Sequence, residues 1–265
     1  MPTYVNDFFK EEVDQYDYKK QYYLYHYTSV DALINILNDK QIWLFHANQM
    51  NDSSEGKFLL ETATNSQDAS IYYHLLMKNF YICSFCNYGN LLSQWRAYGN
   101  VNIGFSLDAI KTASRFIEDL NGEQLDTSGV QYSECEYINP DDANFEEIIE
   151  KIKNKVERIK LLKDANDIKR ELLFLGSECF SVKHSGFKEE AESRLIAYLW
   201  NRKPFLKGKK KFIKYKFDNT AIKRIVIGPS ENGNDNYEKI KAFIESKPEY
   251  IDIEIVISKI PFRGI

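Results

Sequence analysis

Two carboxylates and a guanidinium occupy alternate positions in the segment Glu190-Ala191-Glu192-Ser193-Arg194. Alternate side chains of an extended chain share a face, so we expect Glu190, Glu192 and Arg194 to point the same way. Carboxylates this close repel each other, which raises the pKa of one of them unless Arg194 or a ligand compensates. Such a pair can bind a ribose hydroxyl and stabilise a developing positive charge. The alternative is an ordinary surface strand.

The imidazole of His26 is a second candidate for binding chemistry. Aromatic and β-branched residues over 22–28 predict a strand, and an apolar stripe that starts at Val30 predicts a helix. Between them, Thr28-Ser29-Val30-Asp31 fits a capping box that begins with Thr28. We therefore expect His26 at the end of a strand, just ahead of a helix N-terminus, where anions bind readily. The alternative is a core histidine with satisfied hydrogen bonds.

Three side chains suited to a nucleotide lie close together in the segment Ser93-Gln94-Trp95-Arg96-Ala97-Tyr98. A planar heterocycle can stack on Trp95 or Tyr98, and Arg96 can pair with phosphate. A core tryptophan beside a surface arginine is the alternative.

Cys83 and Cys86 form a lone pair of cysteines two residues apart. Zinc needs four ligands, and no second pair stands at a suitable spacing, so we expect no metal site. The chain also lacks the Walker A loop, G-x-G-x-x-G, G-x-S-x-G and H-E-x-x-H, which weighs against the common nucleotide-binding, hydrolase and metalloprotease classes.

A basic segment runs from Arg202 to Lys214 in a chain whose net charge is −4, with Phe205 and Phe212 among its lysines. Such a segment is typical of a solvated turn. The alternative is a contact with nucleic acid.

The composition bounds the class of protein. Hydrophobic residues make up 43% of the 265 residues, which is enough for a core, and four cysteines are too few for a disulfide scaffold. The charged N-terminus has no apolar region typical of a signal peptide, and no apolar run approaches the length of a membrane span. We expect a reduced, soluble, cytoplasmic protein with no membrane partner.

Strands and helices alternate irregularly, which favours an α+β fold over a doubly wound sheet. We expect an arm or short helix over residues 1–20 and a single domain over residues 21–265, with a helical insertion at about 140–182. A helix is also predicted from Asp108 to about Leu120.

The order of these motifs resembles a bacterial family, domain-of-unknown-function family 2971, over nearly the whole chain. The motifs that carry the resemblance are Tyr25-His26-Tyr27-Thr28, Asn51-Asp52-x-x-Glu55, Ser93-x-x-Trp95-Arg96-x-Tyr98, Lys183-His184, Phe187-x-x-Glu190-x-Glu192-x-Arg194, Ile225-Val226-Ile227-Gly228-Pro229 and Ser258-Lys259-Ile260-Pro261-Phe262-Arg263. The name of this family states no function.

A more distant resemblance does imply one. The strand with His-x-Thr followed by a helix is similar to the opening of DNA-targeting ADP-ribosyltransferase toxins. That resemblance implies a central mixed or antiparallel split sheet flanked by helices, with His26 on the ribose of NAD. It also implies Glu192 as the catalytic acid, Glu190 as the residue that helps activate the acceptor, and Trp95 or Tyr98 stacked on nicotinamide.

The expected NAD contacts are His26, Tyr27, Thr28, Asn51, Trp95, Arg96, Tyr98 and Arg194. NAD is the expected substrate, no metal is expected, and the acceptor is left open between protein and nucleic acid, with NAD hydrolysis as a close variant. The resemblance implies a toxin or phage-defence role, with an antitoxin or a sensor as candidate partner.

Two other classes stay open. One is a nucleic-acid or protein binding module without chemistry, and the other is a metal-dependent nuclease with Glu55, Glu190 and Glu192 as ligands. The enzymatic prediction requires His26 and the two acids near residue 190 to meet across one cleft.

Overall fold

The computed structural model describes residues 23–50, 56–112, 117–118, 124–125, 130–200, 203–230 and 232–261. The predicted arm over residues 1–20 lies outside these ranges, as do the predicted NAD contact Asn51 and the candidate metal ligand Glu55.

Strands and helices alternate as the residue pattern predicts. The strands are β1 Tyr23–Thr28, β2 Gln41–His46, β3 Phe80–Cys86, β4 Val101–Ser106, β5 Ile117–Glu118, β6 Gln124–Leu125, β7 Val130–Glu134, β8 Glu136–Ile138, β9 Val182–His184, β10 Glu192–Tyr198, β11 Phe205–Lys207, β12 Lys210–Lys216, β13 Ile222–Ile227 and β14 Glu254–Ile257. The helices are α1 Val30–Asp39, α2 Lys57–Ala63, α3 Ser66–Asn79, α4 Leu92–Tyr98, α5 Leu107–Thr112, α6 Phe145–Leu161, α7 Ala165–Cys179 and α8 Gly233–Glu245. Both α6 and α7 lie within the predicted helical region.

The chain divides into two compact units. The first comprises Met1–Lys40, Phe85–Ala113 and Phe217–Ile265, and the second comprises Gln41–Ser84 and Ser114–Lys216. Antiparallel and parallel pairs occur together, because β13 pairs with β14 in parallel whereas β1 pairs with β4 antiparallel. The predicted α+β class, with a mixed sheet and flanking helices, is confirmed.

The first unit is built on strands in the order β14-β13-β4-β1, and the end of β3 pairs with β1 through Tyr25 and Cys86. Helix α1 buries the predicted apolar stripe, with Leu33 and Leu37 fully enclosed. The hydroxyl of Tyr250 donates to the carbonyl of Leu37 at 2.7 Å, so the end of α1 is fixed by a buried polar contact.

The second unit pairs β10 with both β7 and β3, β3 with β2, and β2 with β12. Strands β11 and β5 also pair with β12. The core of this unit packs side chains of α2, α3, α6 and α7 against Phe80 and Ile196. Gly176 of α7 lies directly against the ring of Phe80, where a larger side chain would have no room.

Two local predictions need correction. The helix from Asp108 ends at Thr112 rather than near Leu120, and residues 117–118 form β5, which pairs with β12. The cap of α1 is Ser29, whose hydroxyl accepts from the amide of Ala32 at 3.3 Å. Thr28 is not the cap, because α1 begins at Val30 and Ser29 is the residue directly before it.

None of the helices in the described ranges is long and apolar enough to cross a lipid bilayer.

We predict that Gly99→Ala destabilises the protein by about 2–4 kcal/mol. Gly99 ends α4 with φ of 140°, and an added Cβ would stand 2.3 Å from the carbonyl oxygen of Thr28. Gly208→Ala is the matched control, because φ is also positive there, at 61°, but no atom lies within 4 Å of the added Cβ. The control should lose only about 1–2 kcal/mol in urea unfolding, and equal losses would contradict the steric argument.

Candidate active site

Glu192, the first residue of β10, lies at the centre of a buried ionic cluster in the second unit. The residue is 6% exposed, although a carboxylate is costly to bury. Arg194 compensates through two parallel hydrogen bonds, from Nε to Oε1 at 2.7 Å and from Nη2 to Oε2 at 2.8 Å. This bidentate geometry is the strong form of the arginine–carboxylate pair.

Lys183 of β9 adds a second cation. Its ammonium donates to Oε2 of Glu192 at 2.9 Å and to Oε2 of Glu190 at 2.5 Å, so one ammonium bridges both carboxylates. Lys183 is 7% exposed, and its Nζ lies 4.9 Å from the ring centroid of Phe187. The repulsion expected between the two acids is therefore relieved from within the chain.

The charges of this cluster are fixed near neutral pH. Burial alone would raise the pKa of Glu192, but the guanidinium of Arg194, its hydrogen bonds and the ammonium of Lys183 outweigh burial and lower this pKa to about 2. Burial would lower the pKa of Lys183, yet attraction to Glu192 and the hydrogen bonds to both acids raise it above its ordinary value. Glu192 is thus a permanent anion.

The prediction that alternate side chains share a face is correct for Glu192 and Arg194, which are two residues apart in β10 and pair with each other. Glu190 differs, because it ends the 3-10 turn Ser185–Glu190 and is separated from the strand by Ala191, whose φ is 44°. The ammonium of Lys183 brings Glu190 to the cluster instead. Glu190 is the more open acid, with 29% of its side chain exposed against 7% for Glu192.

Arg194 supports Glu192 and is not open to a nucleotide. It is 0% exposed, and its Nη1 donates to the carbonyl of Phe180 at 2.5 Å while Nε and Nη2 hold Glu192. The predicted NAD contact at Arg194 is therefore replaced by a positioning role, since burial leaves a ligand no access to the guanidinium.

Sequence reasoning did not select three residues that complete this cluster. They are Lys183, Ser84, whose hydroxyl hydrogen-bonds Glu192, and Tyr137, whose hydroxyl accepts from the backbone amide of Glu192 at 2.7 Å. Lys183 belongs to the Lys183-His184 motif, but nothing in its spacing from Glu192 indicates that the two side chains pair. Ser84 and Tyr137 come from strands distant in sequence, so only the fold shows them.

In the first unit, His26 lies near the end of β1, paired with Ile103 of β4. Its ring is half-buried and meets the ring of Phe85 edge to face, with centroids 5.9 Å apart. The N-terminus of α1 follows three residues later at Ser29. The predicted placement of His26 before a helix N-terminus is thus found.

Tyr27 and Trp95 pack against each other, with ring centroids 4.5 Å apart. The hydroxyl of Tyr27 donates to the carbonyl of Tyr88 at 2.8 Å and accepts from the amide of Leu91 at 3.1 Å. Burial raises the pKa of Tyr27, so its hydroxyl stays protonated. Trp95 is 6% exposed, and its Nε1 donates to Asn90 at 3.0 Å. These two rings brace α4 against β1 and present no open face for stacking.

Arg96 and Tyr98 stand on the exposed side of α4, and Tyr98 is 45% exposed. Tyr98 is therefore the ring of α4 that remains a candidate for stacking on nicotinamide. Thr28 is half-buried beside Gly99, which lies against its carbonyl. The expected approach of His26 to Glu192 stays a prediction, because the two residues belong to different units.

No group of three or more histidine, cysteine, aspartate or glutamate side chains placed to hold a metal occurs within the described ranges. The position between Glu190 and Glu192 is taken by the ammonium of Lys183. Cys83 and Cys86 are buried, and burial raises the pKa of the Cys83 thiol. A metal ligand must lose its proton, so this environment disfavours metal binding at Cys83.

The family model of DUF2971 matches residues 94–195. It is described as a protein of unknown function, and the matched part includes Trp95, Lys183, Glu190, Glu192 and Arg194. The predicted resemblance to this family is thereby confirmed over that part of the chain.

Two solved structures are similar to this chain over most of its length. One is Thermus sp. 2.9 DarT in complex with carba-NAD+, with 13% identity, a TM-score of 0.38, and coverage of 91% of this chain and 98% of the other. The second is the same protein in complex with ADP-ribosylated ssDNA, with 11% identity, a TM-score of 0.37, and coverage of 91% and 96%. No curated protein matches the chain. At these scores the likeness carries no argument about chemistry, which rests on the residues above.

We predict that the Glu192 cluster makes the protein acid-labile. The pKa of Glu192 is about 2 in the folded protein against an ordinary 4.5, so its stabilisation is complete above about pH 5 and is lost as the pH falls through 4.5 towards 2. The loss should be about 3 kcal/mol of unfolding free energy.

Urea unfolding of Glu192→Gln at several pH values measures this. The variant should lose about 3–5 kcal/mol at pH 7, because Arg194 is left buried without its partner, and its stability should fall less steeply than that of wild type below pH 4.5. Glu134→Gln, an exposed acid on β7, is the control and should behave as wild type. A variant as stable as wild type at pH 7 would refute a stabilising role for the pair.

Proposed function

We propose that this protein is an NAD-dependent ADP-ribosyltransferase-like enzyme. The observation that carries the proposal is the pair of late carboxylates, Glu190 and Glu192, held by one ammonium at the start of a strand, at 2.5 and 2.9 Å from Lys183. The E-x-E spacing is the feature that the resemblance to ADP-ribosyltransferases implies for the catalytic acid.

The proposed reaction breaks the bond between ribose C1′ and the nicotinamide nitrogen of NAD. The bonding electron pair leaves with nicotinamide, which becomes uncharged, and the ribose acquires oxocarbenium character, as in glycoside cleavage. A carboxylate near the ribose stabilises this positive charge more than it stabilises NAD in its ground state. A nucleophile then bonds to C1′ and loses its proton; when the nucleophile is water, the reaction is NAD hydrolysis.

The two acids divide this work. Glu192 is a permanent anion, and its oxygens accept from Arg194, Lys183 and Ser84, so it acts as a fixed negative charge rather than as a proton carrier. Glu190 is more exposed, and its carboxylate accepts a hydrogen bond from Lys183. We assign to Glu190 the role of the general base that removes the proton from the acceptor.

His26, Thr28, Arg96 and Tyr98 are the proposed contacts for NAD in the first unit. His26 precedes the N-terminus of α1, where phosphate groups are favoured, and Tyr98 offers an exposed ring.

Protein and nucleic acid remain the candidate acceptors. A toxin or defence role, with an antitoxin or sensor as partner, and the cytoplasmic location stay predictions.

The test is NAD cleavage followed as nicotinamide release, with purified wild type, Glu190→Gln and Glu189→Gln. We expect Glu190→Gln to lower kcat by roughly 10²-fold or more, since a general base contributes about that factor. Glu189→Gln is the matched control, because this exposed acid stands in the same turn and makes no contact with Lys183.

Urea unfolding accompanies the assay to show that both variants fold, since loss of Glu190 leaves Lys183 bound to Glu192. Two outcomes would overturn the proposal. One is wild-type protein that neither cleaves NAD nor binds it in calorimetry, and the other is a Glu190→Gln variant that cleaves NAD at the wild-type rate.

A further inference from the structure

Strands β2, β12 and β11 place aromatic and basic side chains on one face of the second unit. Directly paired residues of antiparallel strands share a face, and Phe212 pairs with both Phe45 and Phe205. Trp43 pairs with Lys214 and Lys207 pairs with Lys210 on the same side. We call this set the lysine–aromatic face; its members are Trp43, Phe45, Phe205, Lys207, Lys210, Phe212 and Lys214.

The rings of this face form a stacked row. The rings of Trp43 and Phe212 are 3.9 Å apart at 17°, and those of Phe205 and Phe212 are 5.6 Å apart at 22°. Trp43, Phe45 and Phe205 are half-buried, so each still has part of its ring in contact with solvent. Phe212 at the centre of the row is buried, so Trp43, Phe45 and Phe205 are the rings that a ligand can reach.

Each of the three lysines lies over one ring. Lys207 is 5.0 Å from the centroid of Trp43, Lys210 is 5.4 Å from that of Phe45, and Lys214 is 4.4 Å from that of Phe205. Among the side chains that the structure describes, none pairs ionically with these three lysines, whereas Lys151, Lys153, Lys155 and Lys160 of α6 each form an ion pair. Three positive charges are thus concentrated on one face of a chain whose net charge is −4.

The opposite side of the same strands is fully buried. Ile42, Leu44, Ile213 and Tyr215 alternate with the members of the face and are all 0% exposed. The hairpin is also fixed at its turn, because Gln49 donates to the carbonyl of Lys209 at 2.8 Å and accepts from the amide of Lys211 at 2.9 Å. The face is thus preorganised, and burial of the core does not require its lysines.

We infer that the lysine–aromatic face binds a single-stranded nucleic acid. Aromatic rings accept stacked bases of any sequence, and lysines beside them neutralise the phosphates of the same strand. In the bound state each ammonium moves from a ring to a phosphate, which exchanges a weak cation–π contact for a charge-assisted hydrogen bond and opens the ring for a base. An acidic protein would use the lysines but leave the rings unexplained.

The register also relates this face to the acid cluster within the second unit. Phe45 pairs with Ile82, and by alternation along β3 Ser84 projects from the same side as Ile82. Ser84 is the residue that hydrogen-bonds Glu192. The binding inference does not rest on the proposed function, since it is measured without NAD.

The experiment measures fluorescence anisotropy of labelled oligonucleotides of about 16 nucleotides, the upper site size of a small binding module. The probes are oligo(dT), oligo(rU) and a duplex DNA of the same length, over a range of salt concentrations. We expect both single strands to bind more tightly than the duplex. The ratio of the dissociation constants of oligo(dT) and oligo(rU) then identifies DNA or RNA as the better ligand.

Lys207→Gln/Lys210→Gln is the test variant, and Lys241→Gln/Lys247→Gln is its matched control. The control removes two lysines that also lie over rings, Lys241 over Tyr237 and Lys247 over Phe243, each at 5.8 Å, but in the first unit. The test variant should bind about tenfold more weakly and lower the slope of log K against log salt by about 1.4, which corresponds to two phosphates. The control should bind as wild type does.

A third variant, Phe205→Leu, separates stacking from charge. It should weaken binding of single strands by about fivefold or more without changing the salt slope. The inference is overturned if wild type binds no oligonucleotide at about 50 mM salt, if the test variant matches its control, or if the duplex binds as tightly as the single strands. Equal binding of polyglutamate or of phosphatidylserine vesicles would also overturn it, since those polyanions have no bases.

Discussion

The buried pair of Glu192 and Arg194 is the interaction on which the candidate site depends. Two ionised groups lose their hydration at this position, and only the bidentate contact and the further hydrogen bonds to Phe180, Lys183 and Ser84 offset that cost. A buried ion pair stabilises the folded state little compared with well-packed apolar residues. Removal of one partner, however, leaves the other charge buried without compensation. The cluster therefore fixes the geometry of the site, and the loss of either partner costs stability.

That fixed geometry has a chemical consequence. Because Arg194 and Lys183 lower the pKa of Glu192 to about 2, the acid at the start of β10 offers a constant negative charge near neutral pH. Lys183 extends the arrangement to Glu190, which lies in a turn and is more open. One buried anion and one accessible acid, linked by a single ammonium, suit a reaction that develops positive charge and then releases a proton.

The sheet of the second unit joins this cluster to the lysine–aromatic face. Strand β3 contributes Ser84 to the cluster and pairs through Ile82 with Phe45 of the face. Strands β2 and β12 bury Ile42, Leu44 and Ile213 on their other side, and this burial holds the face in place. In the first unit, the contact of Tyr27 with Trp95 holds α4 against β1, and α4 exposes Arg96 and Tyr98.

The sequence by itself determined the local features. Period-two alternation predicts that Glu192 and Arg194 share a face, and the apolar stripe from Val30 predicts α1, because both depend only on neighbours along the chain. The tertiary structure decided the rest. Lys183 reaches both acids, Trp95 is buried rather than open, and residues 117–118 join a sheet instead of extending a helix. Each of these outcomes depends on how separate elements pack together, and spacing along the chain carries no information about that packing.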